Sequence, residues 1–167
     1  NDAHSALRGF AESTVNASVV LSAGMNPRLF GYFESIDAFF PDEQNQLQKK
    51  IILKVSDYRS AFIQGSFLAK KGLWVSEYRI ESGLNCGGHA FATEGFLLGP
   101  ILEEFKQKRN SIVDELFETY SNILAEKNIS ISTAPQQKVS VQGGIGTAEE
   151  NEFLLNYYKV DGTGWGS

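Results

Sequence analysis

The segment Lys138-Val139-Ser140-Val141-Gln142, Gly143-Gly144-Ile145-Gly146-Thr147, Ala148-Glu149-Glu150 sets a β-branched alternation, a glycine turn and a helix start in unbroken order. That order constrains the fold strongly. A strand that passes through a tight turn into a helix must fold the helix back over the sheet, and the next strand then runs parallel to the first. Glycine permits backbone conformations closed to other residues, and the first N–H groups of the helix point into the turn together with the positive end of its dipole. Such a turn suits an anion, and a phosphate above all. Thr147 and Glu150 have capping-box spacing, which accounts for the threonine as a helix start alone. Three glycines in four positions ask for more than turn geometry.

The same alternation of elements is read upstream. Ile51-Ile52-Leu53-Lys54-Val55 has the β-branched character of a buried parallel strand. Ser56 is placed to cap a helix over 57–71, in which Ala61, Phe62, Phe67 and Leu68 fit helical spacing and Gly72 ends the segment. Residues 73–81 alternate as a strand. Pro100 suits a first helical turn, and from Leu98 to Leu124 a long apolar stripe through Ile101, Leu102, Phe105, Ile112, Val113, Leu116, Phe117, Tyr120 and Ile123 predicts a covering helix. Strand 138–142 follows, then a helix over 148–158 and a last strand, Lys159-Val160-Asp161. Three or more strand–helix repeats predict an α/β fold with parallel strands. The first fifty residues read as irregular, with a possible strand over 15–21. Their aromatics, Phe30, Tyr32, Phe33, Phe39 and Phe40, either pack under a loop or flank a ligand.

At 167 residues the chain has the length of one domain with a real core, and its net charge of −5 argues against a nucleic-acid partner. No apolar run approaches membrane-spanning length. A single cysteine forms no internal disulfide, so a cytoplasmic setting is expected. Two cysteine or histidine ligands do not make a zinc site, and no metal is expected.

A second glycine loop, Gly162-Thr163-Gly164-Trp165-Gly166-Ser167, follows the last expected strand. In a (β/α)8 barrel the loops after the seventh and eighth strands commonly hold a phosphate together. On that match strand 138–142 is the seventh and 159–161 the eighth, which makes 73–81, 51–55 and 15–21 the sixth, fifth and fourth. The expectation is therefore the C-terminal part of a TIM barrel, a single domain or partial barrel that associates with itself or with the missing N-terminal half. Lys54, near the end of its strand, is placed either to meet an anionic cofactor or as an ordinary alternating lysine.

The loop Asn85-Cys86-Gly87-Gly88-His89 also follows a strand. Cysteine beside histidine admits a nucleophile activated by imidazole, and His89 admits a merely structural role as well. Neither reading explains two phosphate-like turns. The run Glu81-Ser82-Gly83-Leu84-Asn85-Cys86-Gly87-Gly88-His89, followed by a long helix, a strand, Gly143-Gly144-Ile145, a short helix and the 162–167 loop, resembles the C-terminal half of FMN-dependent barrel oxidoreductases. The resemblance is to the nitronate monooxygenase (2-nitropropane dioxygenase) group, over roughly Ile51 to Ser167. It departs at Asn85-Cys86, where the group has small or acidic residues, and at Phe91, where it often has glycine.

The resemblance implies a flavoprotein with His89 as the active-site histidine. It implies that the FMN phosphate lies in a first loop formed by Gly143, Gly144 and Ile145 and in a second formed by Gly164, Trp165, Gly166 and Ser167. Beside these, Gly87, Gly88, Gln142, Gly146 and Thr147 are expected at the cofactor from their places in the two glycine loops, and Lys54 from its place near the end of its strand. A small-molecule substrate and oxidoreductase activity are expected, with the flavin ring covered only once the sheet is completed. Two alternatives remain open on the residues. A non-redox lyase or isomerase acting on a phosphorylated substrate would use the same turns, and a non-catalytic partial-barrel module would need none of them.

Overall fold

The computed structural model describes residues 2–22, 24–81 and 98–165. The Asn85–His89 loop, with Cys86, Gly87, Gly88 and His89, and the last two residues, Gly166 and Ser167, lie outside the described residues. Within them the chain forms an α/β fold on a five-stranded, wholly parallel sheet: β1 (Ala17–Leu21), β2 (Lys49–Val55), β3 (Val75–Glu81), β4 (Lys138–Gln142) and β5 (Gly162–Gly164). Each strand pairs with the next in sequence, in the order β1-β2-β3-β4-β5. The helices are α1 (Asp2–Glu12), α2 (Pro27–Phe33), α3 (Tyr58–Ala69), α4 (Leu98–Glu126) and α5 (Ala148–Asn156), with one 3-10 turn at Asp37–Phe39. No helix among the described residues is long and apolar enough to cross a membrane.

Alternation along the strands separates the two faces of the sheet. Leu21, Ile51, Leu53, Val55, Tyr78, Ile80, Val139 and Val141 are buried on one face, in a single core with Leu7 of α1, Phe30 and Phe33 of α2, Ala61 and Leu68 of α3, and Leu154 of α5. The α4 stripe closes that core with Leu102, Phe105, Ile112, Leu116, Tyr120 and Leu124, at spacings of three, four or seven residues. The opposite face is polar. A register irregularity at Ile51/Ile52 lets β3 accommodate one extra residue, Ser76, and brings Glu77 rather than Ser76 opposite Ile52.

Local signals explain the helix ends. Asp57 caps α3 by accepting from the Ser60 N–H at 2.7 Å, in place of the expected Ser56, whose hydroxyl instead donates to the Asp57 carboxylate at 2.7 Å. An ionised carboxylate is the stronger acceptor of the two neighbours. Gly72 (φ +73°) terminates the segment in the left-handed region, with Leu73 N–H donating to Leu68 C=O at 3.1 Å as in a Schellman cap. Where α3 crosses β3 and α4, Gly65 leaves space for the Tyr78 hydroxyl, which a β-carbon there would overlap.

The first fifty residues are ordered by their aromatics. Phe30, Phe33 and Phe39 lie in the core, with the Phe33 and Phe39 rings 4.6 Å apart, while Tyr32 and Phe40 pack against it partly buried. Lys49 is buried beneath this layer, its ammonium bonded to Ser13 Oγ and to the carbonyls of Ser13 and Val15, and 4.7 Å above the Phe10 ring. The strand expected over 15–21 runs from Ala17 to Leu21.

The last strand is displaced from its expected position. Residues 159–161 do not form a strand: Lys159 has φ +56°, and Asp161 is tied to the start of β4, its N–H donating to Val139 C=O and its carboxylate accepting from Val139 N–H, each at 2.7 Å. Arg109 of α4 pairs with the same carboxylate. Val160 is apolar because it enters the core, and the strand is the glycine-bearing segment Gly162–Gly164, which had read as a loop.

Candidate functional site

The polar face of the sheet and the carboxyl ends of its strands form one continuous surface. Register places its side chains in rows: Val20, Ile52, Glu77 and Lys138 in one, Lys54, Arg79, Ser140 and Gly162 in the next, and Glu81, Gln142 and Gly164 at the carboxyl edge. Lys54 reaches across to Glu81, Nζ to Oε2 at 3.0 Å, and Glu81 is buried while Lys54 is about one-third exposed. Glu77 accepts from Arg79 through Nε (3.2 Å) and Nη2 (3.1 Å), and from Ser140 Oγ at 2.6 Å. Among the described residues the face carries Lys50, Lys54, Arg79 and Lys138 beside the carboxylates Glu77 and Glu81, and Asp161 lines the adjoining cleft. The face thus presents charges of both signs, with Lys54 paired to Glu81 and Arg79 to Glu77.

Two open clefts lie along it. One, of about 400 Å³, is lined by Glu77, Arg79, Lys138, Ser140, Gln142, Gly162 and Gly164. The other, of about 630 Å³, lies toward the amino ends of the strands, between Lys50, Glu77 and Lys138 and the segments 44–47 and 133–136.

The glycine turn after β4 has the expected backbone. Gly143 and Gly144 take φ +84° and +75°, a region that disfavours side chains, and Ile145 turns into the core and fixes the loop. Gly146 is different. It is not in the left-handed region, and a β-carbon there would make only ordinary contact, 3.5 Å from Glu150 Oε2, so conformational strain does not require glycine at this position. The capping box forms in full, with Thr147 Oγ1 accepting from Glu150 N–H at 3.2 Å and Glu150 Oε2 accepting from the N–H groups of Gly146 (2.8 Å) and Thr147 (3.0 Å). A carboxylate oxygen of the protein itself therefore sits on the two amides that immediately precede α5, those of its N-cap and of the residue before it.

The second glycine segment lies beside the first. Gly143 N–H donates to Gly164 C=O at 2.8 Å, so the ends of β4 and β5 are joined directly. Gly164 also faces Gln142, where a β-carbon would stand 3.2 Å from Cγ. Thr163 and the exposed Trp165 are held by one acceptor of α5, Asn151 Oδ1, at 2.6 and 3.4 Å.

Of the residues singled out in the sequence, Lys54, Gln142, Gly143, Gly144, Ile145, Gly146, Thr147, Gly164 and Trp165 converge on the carboxyl end of the sheet. Glu77, Arg79 and Glu81 join them on this face, and the sequence signal that marks them is charge at every second position of β3. Glu150, half of the expected capping box, also brings its carboxylate to Gly146, four residues before it. Among the described residues no group of three or more His, Cys, Asp or Glu could hold a metal ion.

An anionic cofactor fits this end of the sheet on two observations. The left-handed glycines allow close backbone approach, and the Gly146 and Thr147 amides demonstrably hold an anionic oxygen, that of Glu150. A phosphate oxygen in the same place requires Glu150 to swing out. Compared with protein-family models, with curated proteins and with solved structures, the chain matches none.

Proposed function

We propose that this chain is the carboxyl-terminal part of a TIM-barrel, FMN-dependent oxidoreductase of nitronate monooxygenase-like type, located in the cytoplasm and acting on a small-molecule substrate. The observation that carries the reading is the bond between Gly143 N–H and Gly164 C=O. It brings two glycine-bearing strand ends together at the carboxyl edge of a parallel sheet in consecutive order, the arrangement in which barrel enzymes hold phosphates. The Gly-Gly-His sequence at 87–89, the Lys54–Glu81 pair and Gln142 beside Glu81 support it.

Bound FMN supplies the two-electron chemistry. The phosphate is held by the Gly146 and Thr147 amides once Glu150 releases them, while the Gly143 amide keeps its bond to Gly164 C=O and Gly164–Ser167 closes the other side. Lys54, kept in place by Glu81, presents a cation at the strand ends and favours an anionic edge of cofactor or substrate. His89 moves the proton at the substrate, as an imidazole near neutral pH can both accept and donate. The test is the visible absorbance of the protein purified gently from cells, with any chromophore released and identified. A flavin spectrum with FMN released supports the reading. A colourless protein that binds a sugar phosphate at the same turn points instead to the non-redox barrel.

A further inference from the structure

We propose that Asn151 is a positioning residue of the phosphate site, the one that fixes the second glycine loop to the helix whose leading amides belong to the first. The inference rests on the reading of the Gly143–Thr147 turn as a phosphate site.

The need for such a residue follows from the composition of β5. The strand is Gly162-Thr163-Gly164, and glycine is a poor strand former with no side chain to pack. Among the described residues β5 pairs on one side only, with β4. Arg109 and Val139 hold Asp161 at its amino end, and Gly143 N–H holds the Gly164 carbonyl. Thr163 is the only residue of β5 with a side chain, and Trp165 is the first residue past it.

Both side chains lead to one atom. Thr163 Oγ1 donates to Asn151 Oδ1 at 2.6 Å, and Trp165 Nε1 donates to the same oxygen at 3.4 Å. An indole N–H only donates, so it fixes which end of the Asn151 amide faces the loop. A pin for the Thr163 hydroxyl alone would stop at the strand. Taking the indole as well carries the hold into the loop. Trp165 is about half exposed, so burial alone does not place its ring.

Asn151 also stands close to the first loop. Its N–H donates to the Thr147 carbonyl at 3.2 Å, so the two residues share one face of α5, one turn apart. Helical side chains lean toward the amino end, which brings Asn151 toward the turn. Glu150 is its neighbour but lies about 100° round the helix, so the Glu150 carboxylate leaves the Gly146 and Thr147 amides without disturbing Asn151. Asn151 therefore keeps the two loops in register whether the amides hold Glu150 or a phosphate, and an anion meets them already placed.

The test adds inorganic phosphate to the ¹⁵N-labelled chain and follows the amides of Gly146 and Thr147 together with the indole N–H of Trp165. In the unaltered chain all of these signals move with one midpoint. In Asn151→Leu, which keeps the size of the side chain and removes its acceptor, the amides respond with a dissociation constant raised about 5–10-fold, and the indole signal no longer follows them. A bond with a purely structural role would lower the melting temperature and leave the shared midpoint as it was. Thr163→Val removes only the hydroxyl at a position that suits a β-branched residue, and decides the matter where Asn151→Leu does not fold. It weakens phosphate in the same direction, and combined with Asn151→Leu it adds no further loss. Amides that stay in place in the unaltered chain overturn the phosphate reading and this proposal with it. Amides that move while the indole does not, an unchanged phosphate affinity in either variant, or additive losses in the double variant overturn this proposal alone.

Discussion

Replacing Glu150 with alanine separates two roles that the turn combines, and moves stability and phosphate affinity in opposite directions. The Glu150 carboxylate accepts from the Gly146 and Thr147 amides at 2.8 and 3.0 Å at the start of α5. Both contacts are exposed, so their net worth to the fold is small. Losing half of a capping box and a first-turn carboxylate costs about 0.5–1 kcal/mol. For a domain of this size that lowers Tm by about 1–4 °C. The cap from Thr147 Oγ1 to the backbone N–H of residue 150 survives the change. If the same amides are to hold a phosphate, the native carboxylate is a competitor present in every molecule. Removing it relieves the phosphate of displacing two charge-assisted bonds, about 1–2 kcal/mol, and tightens binding about 5–30-fold. The assay pairs a thermal melt with titration of FMN followed by quenching of its fluorescence. A variant that is less stable and binds more tightly supports the account. One that loses stability with FMN affinity unchanged or weakened refutes the claim that the phosphate uses these amides.

Three further outcomes follow from the same geometry. Gly144→Val, at φ +75°, should weaken FMN affinity at least 10-fold, with strain of about 1–3 kcal/mol at the turn, whereas Gly146→Ala should cost little in folding; equal tolerance at both positions in melts and titrations would contradict the backbone assignment. Gly65→Ala should destabilise the fold by about 1–2 kcal/mol despite its better helix propensity, because the new methyl meets the Tyr78 hydroxyl and Leu116 Cδ1; Tyr78→Phe should rescue it, since that hydroxyl is buried without a hydrogen-bond partner among the described residues, and urea unfolding of the double-mutant cycle reads the coupling. The Gln48 side chain and the backbone N–H groups of Gln46 and Gln44 hold the Asp42 carboxyl below its ordinary value of 3.8, so its contribution is present above that pH and fades as pH falls through the lower folded value; Asp42→Ala should differ from the parent in melts at neutral pH and converge with it in acid, and a constant difference would be the contrary result.

Where the sequence could be read and where it could not follows from how local each signal is. The strand at Lys138–Gln142 and the cap at Thr147 and Glu150 are legible because alternation and capping are decided within a few residues. The α4 stripe is legible because its apolar residues repeat over many turns. The end of the sheet is not. Val160 looks like strand and packs as core, while Gly162–Gly164 looks like loop and pairs as strand, because pairing there is imposed by the neighbouring β4 and not by propensity. The cap of α3 falls on Asp57 and not Ser56 for a reason of hydrogen-bond strength that residue type alone leaves open. The candidate site shows the same division. The glycine turns announce themselves, but the row of Lys54, Arg79 and Ser140 exists only after register has aligned three strands separated by long connections.

The most direct test of the central claim follows backbone amide signals during addition of FMN, riboflavin and inorganic phosphate to the ¹⁵N-labelled chain. Such a titration reads weak binding as well as tight binding, so it does not depend on completion of the barrel. The account predicts that FMN and phosphate both shift the amides of Gly144, Gly146 and Thr147, and that riboflavin, which lacks the phosphate, leaves them in place. Shifts by riboflavin equal to those by FMN, or no shift at these amides with either phosphate-bearing ligand, would contradict it.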